Sequence, residues 1–150
     1  MFVQEIQVSL KRKYIDTSAL KVILSSDDVV NYARATFFNE CEDHSEHMFA
    51  IFLNNSNKII GHKCFSSGGL TGTVSDTRII LSVALQLLAV NIILLHNHPS
   101  GNLKPSEADK RITDKTKEAA KLFDMTLHDH IILTPFPTDG YYSFADNGNL

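Results

Sequence analysis

Cysteine, glycine and proline are all scarce in this chain, with two, seven and four copies among 150 residues. With 43% hydrophobic and 21% charged residues, this composition excludes collagen and argues against a disordered chain. Cys41 and Cys64 are far apart and do not have the spacing of metal ligands. We expect both to be reduced, buried thiols, which is typical of a cytoplasmic protein.

Positive charge is not in excess either, since 14 Lys and Arg stand against 17 Asp and Glu, for a net charge of −3. Strong nonspecific binding to nucleic acid draws on clustered Lys and Arg, so the composition argues against it. The longest apolar stretch, residues 79–95, is interrupted by Ser82, Gln86 and Asn91. It favours a buried helix followed by a strand over a membrane span, and the N-terminus shows no signal-peptide pattern.

The hydrophobic pattern alternates between strand and helix periods without a linker, so we expect one domain over residues 1–150. Predicted strands cover residues 2–13, 46–53, 58–65, 91–96, 126–133 and 141–144, and predicted helices about 27–41, 77–89 and 106–123. The third helix should bury a stripe formed by Ala108, Ile112, Ala119 and Phe123. This order predicts an α/β sandwich on a mixed central sheet flanked by helices.

Metal-ligating side chains are concentrated between positions 96 and 109. His96 and His98 end a predicted strand, and residues i and i+2 of an extended chain point the same way. Pro99 disfavours a helix at His98 and so helps to keep the pair extended. Asp109, in the first turn of the next predicted helix, can supply an oxygen ligand. Two imidazoles, one carboxylate and a water form a tetrahedral zinc site with one exchangeable position.

Structural roles for the same residues remain alternatives. Ser106 and Asp109 have the spacing of a capping box, and a His-x-His pair alone is a weak indication of a metal. Asn97 is interpreted as shaping the loop rather than as catalytic. The apolar neighbours of His130 favour a hydrogen-bonded core histidine near the site, with Asp129 as a possible orienting partner.

The order His96-Asn97-His98-Pro99, six residues, then Ser106-Glu107-Ala108-Asp109 resembles the His-x-His-Pro-x6-Ser-x-x-Asp signature of JAMM (JAB/MPN+) metalloproteases. Together with residues 129–132, it resembles the RadC-like branch of that family over about residues 45–145, with residues 1–44 as an N-terminal extension. The resemblance implies a three-layer JAB/MPN-like sandwich in a cytidine-deaminase-like arrangement. One departure, Thr77-Arg78-Ile79 where RadC-like chains often carry Pro-Arg-Glu, concerns substrate or partner contacts rather than the metal.

The resemblance also implies a glutamate on an earlier strand that acts as general acid and base without binding the metal. Glu46 matches, because it begins an apolar strand upstream of a predicted hairpin. Glu40 and Glu42 are the rivals, but they lie in the first predicted helix and in a polar break. One Zn²⁺ per chain, held by the cluster between positions 96 and 109, would lower the pKa of its bound water toward ~7. Glu46 would then move the proton, and the Ser106 hydroxyl would stabilise the developing oxyanion.

Three functions follow as hypotheses. The first is a zinc metallopeptidase or isopeptidase-type amide hydrolase that acts on a peptide or protein. The second is a DNA-repair-associated protein that processes or binds nucleic acid, because RadC-like proteins have been named for DNA repair. The third is a catalytically silent MPN-type interaction module, which the presence of His96, His98, Asp109 and Glu46 disfavours. We expect a cytoplasmic protein that does not associate with membranes.

Overall fold

The computed structural model describes residues 22–38, 45–68, 76–134 and 140–150. Within these ranges the elements, in chain order, are α1 (Ser26–Thr36), β1 (Glu46–Leu53), β2 (Ile59–Gly68), α2 (Thr77–Leu87), β3 (Asn91–Asn97), α3 (Glu107–Lys121), β4 (Thr126–Leu133) and β5 (Tyr141–Ser143). The strands and helices predicted from residue 22 onward are therefore confirmed in kind and order, although α1 ends earlier than predicted. The N-terminal strand predicted at residues 2–13, and Cys41, lie outside the described residues.

The five strands form one mixed sheet in the order β2-β1-β3-β4-β5. Neighbours are antiparallel except β3 and β4, which are parallel and joined by α3. Helix α1 packs on one face of the sheet, and α2 and α3 pack on the other. The described residues thus form the α/β sandwich with a mixed central sheet that the sequence predicts.

Alternation along the strands decides which face each side chain occupies. On β1, Phe49 and Ile51 pack toward α1, whereas Met48 and Phe52 pack toward α2 and α3. The same alternation places Glu46 on the α2/α3 side. Helices cover both sides of the sheet at β1, which lies between β2 and β3, so apolar residues occupy both of its faces.

A β-bulge in β4 reverses this alternation at one point. The register of β4 against β3 shifts at His128, so Leu127 and Asp129 face opposite sides of the sheet. Leu127 packs in the α2/α3 cluster, whereas Asp129 accepts a hydrogen bond from Ser26 Oγ of α1 at 3.0 Å. His130 therefore faces α3, a direction that a regular strand would not give it.

The buried face of α3 differs from the predicted stripe. Ala108 and Phe123 are exposed, and Ile112 and Ala119 are only partly buried. The helix instead buries Asp109, Thr113, Thr116 and Ala120. Three of these are polar, so a search for apolar periodicity places the face about one residue away from its true position.

Cys64 is exposed, so the prediction of a buried thiol is wrong for this residue. It lies on β2, which is the last strand of the described sheet on that side. A side chain on an outer strand has a neighbouring strand on one side only, which leaves Cys64 accessible to solvent.

Over the part of the chain that the structure describes, none of the three helices combines the length and apolar character that a membrane crossing requires.

Candidate metal centre

Strand β3 carries the two histidines to one end of the sheet. His96 is buried on the α2/α3 side, and His98 follows directly after the strand. The N–H of His98 donates to the carbonyl of Leu133 in β4 at 2.9 Å, which keeps the chain extended beyond the strand. The two Nε2 atoms consequently lie 2.9 Å apart, with the ring planes inclined by 67°. The structure brings the pair together as the i, i+2 spacing predicts.

Asp109 joins the two histidines from the first turn of α3. Its Oδ1 lies 3.1 Å from Nε2 of His96, and its Oδ2 lies 3.5 Å from Nε2 of His98. One ligand atom from each of the three residues lies within 4.8 Å of the others. These three side chains, which we call the HHD cluster, can hold a metal ion.

The capping box expected at the start of α3 is present together with this cluster. Ser106 Oγ accepts from the N–H of Asp109 at 3.2 Å, and Asp109 Oδ2 accepts from the N–H of Ser106 at 2.7 Å. The box uses Oδ2 and leaves Oδ1 directed at His96. Capping, which typically contributes about 1 kcal/mol, is therefore compatible with a ligand role and holds the carboxylate in place.

A chain of hydrogen bonds behind His96 determines which ring nitrogen carries its proton. A carbonyl only accepts, so Thr113 Oγ1 donates its single proton to the carbonyl of Asp109 at 2.6 Å. Thr113 Oγ1 must then accept from Nδ1–H of His130 at 2.6 Å. The neutral His130 ring has a bare Nε2, which accepts from Nδ1–H of His96 at 2.8 Å. His96 therefore presents a bare Nε2 to the HHD cluster.

The same reasoning applies to His98. Its Nδ1 lies 2.6 Å from the carbonyl oxygen of Asn102, so Nδ1 carries a proton and, in the neutral ring, Nε2 is bare. When both rings are neutral, two nitrogen lone pairs and a carboxylate oxygen face one another without a proton between them. Such a set repels itself unless a cation lies among its members, so the residues present fit a metal ion.

Burial and charge shift the pKa values around the cluster. The protonated His98 ring can donate from Nε2 to the Asp109 carboxylate, which raises the pKa of His98 despite the opposing effect of burial, and the charge of Glu46 acts in the same direction. Burial by itself would raise the pKa of Asp109, but hydrogen bonds from His96 and His98 in their protonated forms outweigh it and hold that pKa well below its usual range. Burial holds the pKa of His130 far below its usual value, so His130 stays neutral near pH 7.

Glu46 lies beside the cluster on the neighbouring strand. Met48 of β1 pairs with His96 of β3, and Glu46 comes two residues earlier on the same face. This brings Glu46 level with His98, and it is half-buried there. Glu40 and Glu42, the rival candidates, lie outside the described residues.

The side chain of Asn97 holds the main chain on both sides of Glu46. Its Oδ1 accepts from the N–H of His47 at 2.7 Å, and its Nδ2 donates to the carbonyl of Ser45 at 2.9 Å. Asn97 is buried. It therefore has the structural role that the sequence indicates, and it acts on the strand that carries Glu46 as well as on its own loop.

Ser106 is exposed at the first turn of α3. In the capping box its Oγ is the acceptor, so the box leaves the hydroxyl proton free to donate to another group. The geometry thus allows one hydroxyl to cap the helix with a lone pair and to bind an oxyanion with its proton.

The sequence did not predict a role for two residues that contact His130 beside the cluster. Thr113 lies four residues after Asp109, and this i, i+4 spacing is a signal that places both on one helix face. The ring of Phe144 stacks on His130 with centroids 5.0 Å apart and planes inclined by 10°. Nothing in the local sequence indicates this contact, because the two residues meet only through the pairing of β4 and β5.

Asp129 does not orient the His130 ring, contrary to expectation. The bulge at His128 directs its side chain to the opposite face, where it accepts from the hydroxyls of Ser26 at 3.0 Å and Ser143 at 2.6 Å. Its only bond to His130 is to the backbone N–H, at 2.7 Å. The partner of the ring is Thr113.

A model of the RadC-like JAB domain matches residues 23–149 of the chain, a range that includes α1. The UPF0758 protein of Flavobacterium johnsoniae is 39% identical over 146 residues, which are 97% of this chain and 61% of that protein. The UPF0758 protein of Porphyromonas gingivalis is 45% identical over 106 residues, 70% of this chain and 45% of that protein. The UPF0758 protein of Streptococcus gordonii is 40% identical over 105 residues, with the same coverage.

The chain thus spans about three fifths or less of the length of these curated relatives. The name UPF0758 states no activity. The family match extends over most of the chain and includes β1, β3 and α3, which carry Glu46 and the HHD cluster. On this match and these identities, the chain belongs to the family of RadC-like JAB domains.

Proposed function

We propose that this domain is a zinc-dependent amide hydrolase of the metallopeptidase or isopeptidase type, with a peptide or protein as substrate. One observation carries the proposal. The Nε2 atoms of His96 and His98 converge with Oδ1 of Asp109, and Glu46 lies beside them on the neighbouring strand. Two imidazoles and one carboxylate are a ligand set of catalytic zinc sites, which keep one position open.

When bound, zinc supplies Lewis-acid polarisation and makes a hydroxide nucleophile available near neutral pH. The chain has to provide a group that takes the proton from the attacking water and returns it to the leaving amine. Glu46 is the candidate, because a half-buried carboxylate on the same face as His98 can both accept and release a proton.

The negative charge that develops on the substrate carbonyl oxygen needs a hydrogen-bond donor to stabilise it. Ser106 Oγ is placed at the start of α3, three residues before Asp109, which carries the candidate ligand oxygen, and its proton is not used by the capping box. A hydroxyl of this kind can stabilise an oxyanion, and the loss of one such donor costs about 10²–10³ in rate in a well-studied protease.

Neither alternative hypothesis gains support from the described residues. The cationic side chains of Lys110 and Lys121 on α3 pair with Glu107 at 2.6 Å and with Glu118 at 2.7 Å. This pairing reduces the positive face that nucleic-acid binding requires. A silent interaction module would have no need for a complete ligand set beside a carboxylate, and here that set is complete.

Metal analysis and hydrolysis of a mixed peptide library test the proposal. Protein purified without added zinc should contain about one zinc ion per chain, and His98→Ala should lower this content. Glu46→Gln should keep the metal and lose hydrolysis. Wild-type protein that binds no zinc when zinc is supplied would overturn the proposal, and full hydrolysis by Glu46→Gln would exclude Glu46 as the base.

A further inference from the structure

We propose that Thr113 and His130 are positioning residues that fix His96 in its Nδ1–H tautomer and so form the metal site before the ion arrives. This inference rests on the metal-binding part of the proposed function. Neither residue belongs to the HHD cluster, and both act through His96. The residue type alone does not determine the tautomer, because a neutral imidazole can carry its proton on either nitrogen.

The direction of the hydrogen bonds carries the argument. The carbonyl of Asp109 can only accept, and it lies 2.6 Å from Thr113 Oγ1. Once the proton of Thr113 is used, each further bond has a single possible direction, from His130 Nδ1 to Thr113 Oγ1 and from His96 Nδ1 to His130 Nε2. One backbone carbonyl therefore sets the protonation of a nitrogen two side chains away.

Hydrogen bonds in the opposite direction, from His130 to His96, would block the metal site. If His130 carried its proton on Nε2, it would donate to His96 Nδ1, and the proton of His96 would move to Nε2. That nitrogen lies 3.1 Å from Asp109 Oδ1, so the proton would occupy the space between two ligand atoms. Metal binding would then require the proton to be removed or the rings to rearrange, and affinity would fall.

Packing holds the side chains of this hydrogen-bond chain in place. The His130 ring is fully buried, and the ring of Phe144 stacks on it at an inclination of 10°. Thr113 is also buried and lies one turn after Asp109 on α3. Helix α3 therefore supplies both the candidate ligand oxygen of Asp109 and the hydroxyl of Thr113 that orients His130. A displacement of α3 would move these two groups together.

Thr113→Val tests this with a nearly isosteric side chain, and Thr113→Ser restores the hydroxyl. Thr116→Val is the matched control, because Thr116 is equally buried on the same helix face but contacts Thr77. Two quantities are measured: zinc affinity by competition with a chelator, and the protonated ring nitrogen of His96 in metal-free protein, from ¹⁵N NMR at mildly alkaline pH.

Wild-type protein and Thr113→Ser should carry the His96 proton on Nδ1. Thr113→Val should shift it toward Nε2 and lower zinc affinity by about 10–100-fold, the usual effect of losing a partner that orients a ligand. Thr116→Val should change neither quantity. A merely structural role for Thr113 would not move the His96 proton between its two nitrogens.

The inference is overturned if metal-free wild-type protein carries the His96 proton on Nε2, a measurement that needs no variant to fold. It is also overturned if Thr113→Val binds zinc as tightly as the wild type. Both results leave the proposed hydrolase intact. Failure of the wild type to bind zinc would instead overturn the proposed function, and the metal-free NMR measurement would still decide the tautomer.

Discussion

The amide oxygen of Asn97 accepts a hydrogen bond from the backbone N–H of His47 at 2.7 Å, across fifty positions of sequence. The amide nitrogen of the same side chain donates to the carbonyl of Ser45. The two bonds enclose Glu46, so a residue between the two histidines of the HHD cluster orients the strand that carries the candidate base. Position 97 should therefore affect catalysis more than metal binding.

We expect Asn97→Ala to reduce hydrolysis by as much as about 10²-fold while zinc content stays near that of the wild type, because small displacements of a catalytic group are costly. Asn91→Ala is the matched control, since Asn91 is a buried asparagine at the opposite end of β3 and bonds to Asn57. Kinetics and metal analysis on both variants check this. Equal losses of activity in the two variants would show a general effect on folding.

Ser106 should have two separable functions. Ser106→Gly should cost only a few tenths of a kcal/mol in stability, because glycine is a tolerable N-cap, but should lower hydrolysis by about 10²–10³-fold through loss of the hydroxyl donor. Ser106→Thr should retain both functions. Ser25→Ala removes the equivalent capping box of α1 and should reduce stability without changing activity. Hydrolysis by Ser106→Gly at the wild-type rate would refute the donor role.

Zinc should stabilise the fold, because it neutralises the facing lone pairs of His96 and His98. Free zinc at 100 times its dissociation constant should add about 2.7 kcal/mol to the free energy of unfolding, provided that the unfolded chain does not bind it. Chelation should reverse the gain, and His98→Ala should abolish it. Thermal unfolding with and without chelator checks this, and an unfolding temperature that does not respond to zinc would count against the site.

Asp129 should make stability depend on pH. Burial raises its pKa, despite hydrogen bonds from Ser143, Ala145, Ser26 and His130. A raised folded-state pKa means that its contribution is fully present below the unfolded pKa, about 3.9, and is lost as pH rises through the folded value. Relative to Asp129→Asn, which does not titrate, the wild type should gain stability as the pH falls through that window. Denaturant unfolding over a pH series measures the difference, and a difference that is constant with pH would contradict the assignment.

Much of the candidate site follows from local pattern. The i, i+2 spacing of His96 and His98 in a strand predicts that they point the same way, and the position of Asp109 in the first turn of a helix predicts that it lies near them. The capping box at Ser106 is also readable from spacing alone. These features depend on backbone geometry within a few residues, and such geometry is the same wherever the element lies in the fold.

The residues behind the ligands depend on contacts between distant strands. The bulge at His128 turns His130 toward His96, and it arises from the pairing of β4 with β3. Asn97 reaches Ser45 and His47 only because β1 and β3 are neighbours in the sheet.

By itself, the sequence determined the order of elements, the family signature and the candidate ligands, because short-range sterics and hydrophobic periodicity act along the chain. Only the tertiary structure decided which nitrogen of His96 is bare, which oxygen of Asp109 faces it, and that Thr113 rather than Asp129 orients His130. Those choices depend on hydrogen bonds between elements, whose direction is defined only when the donors and acceptors have been brought together.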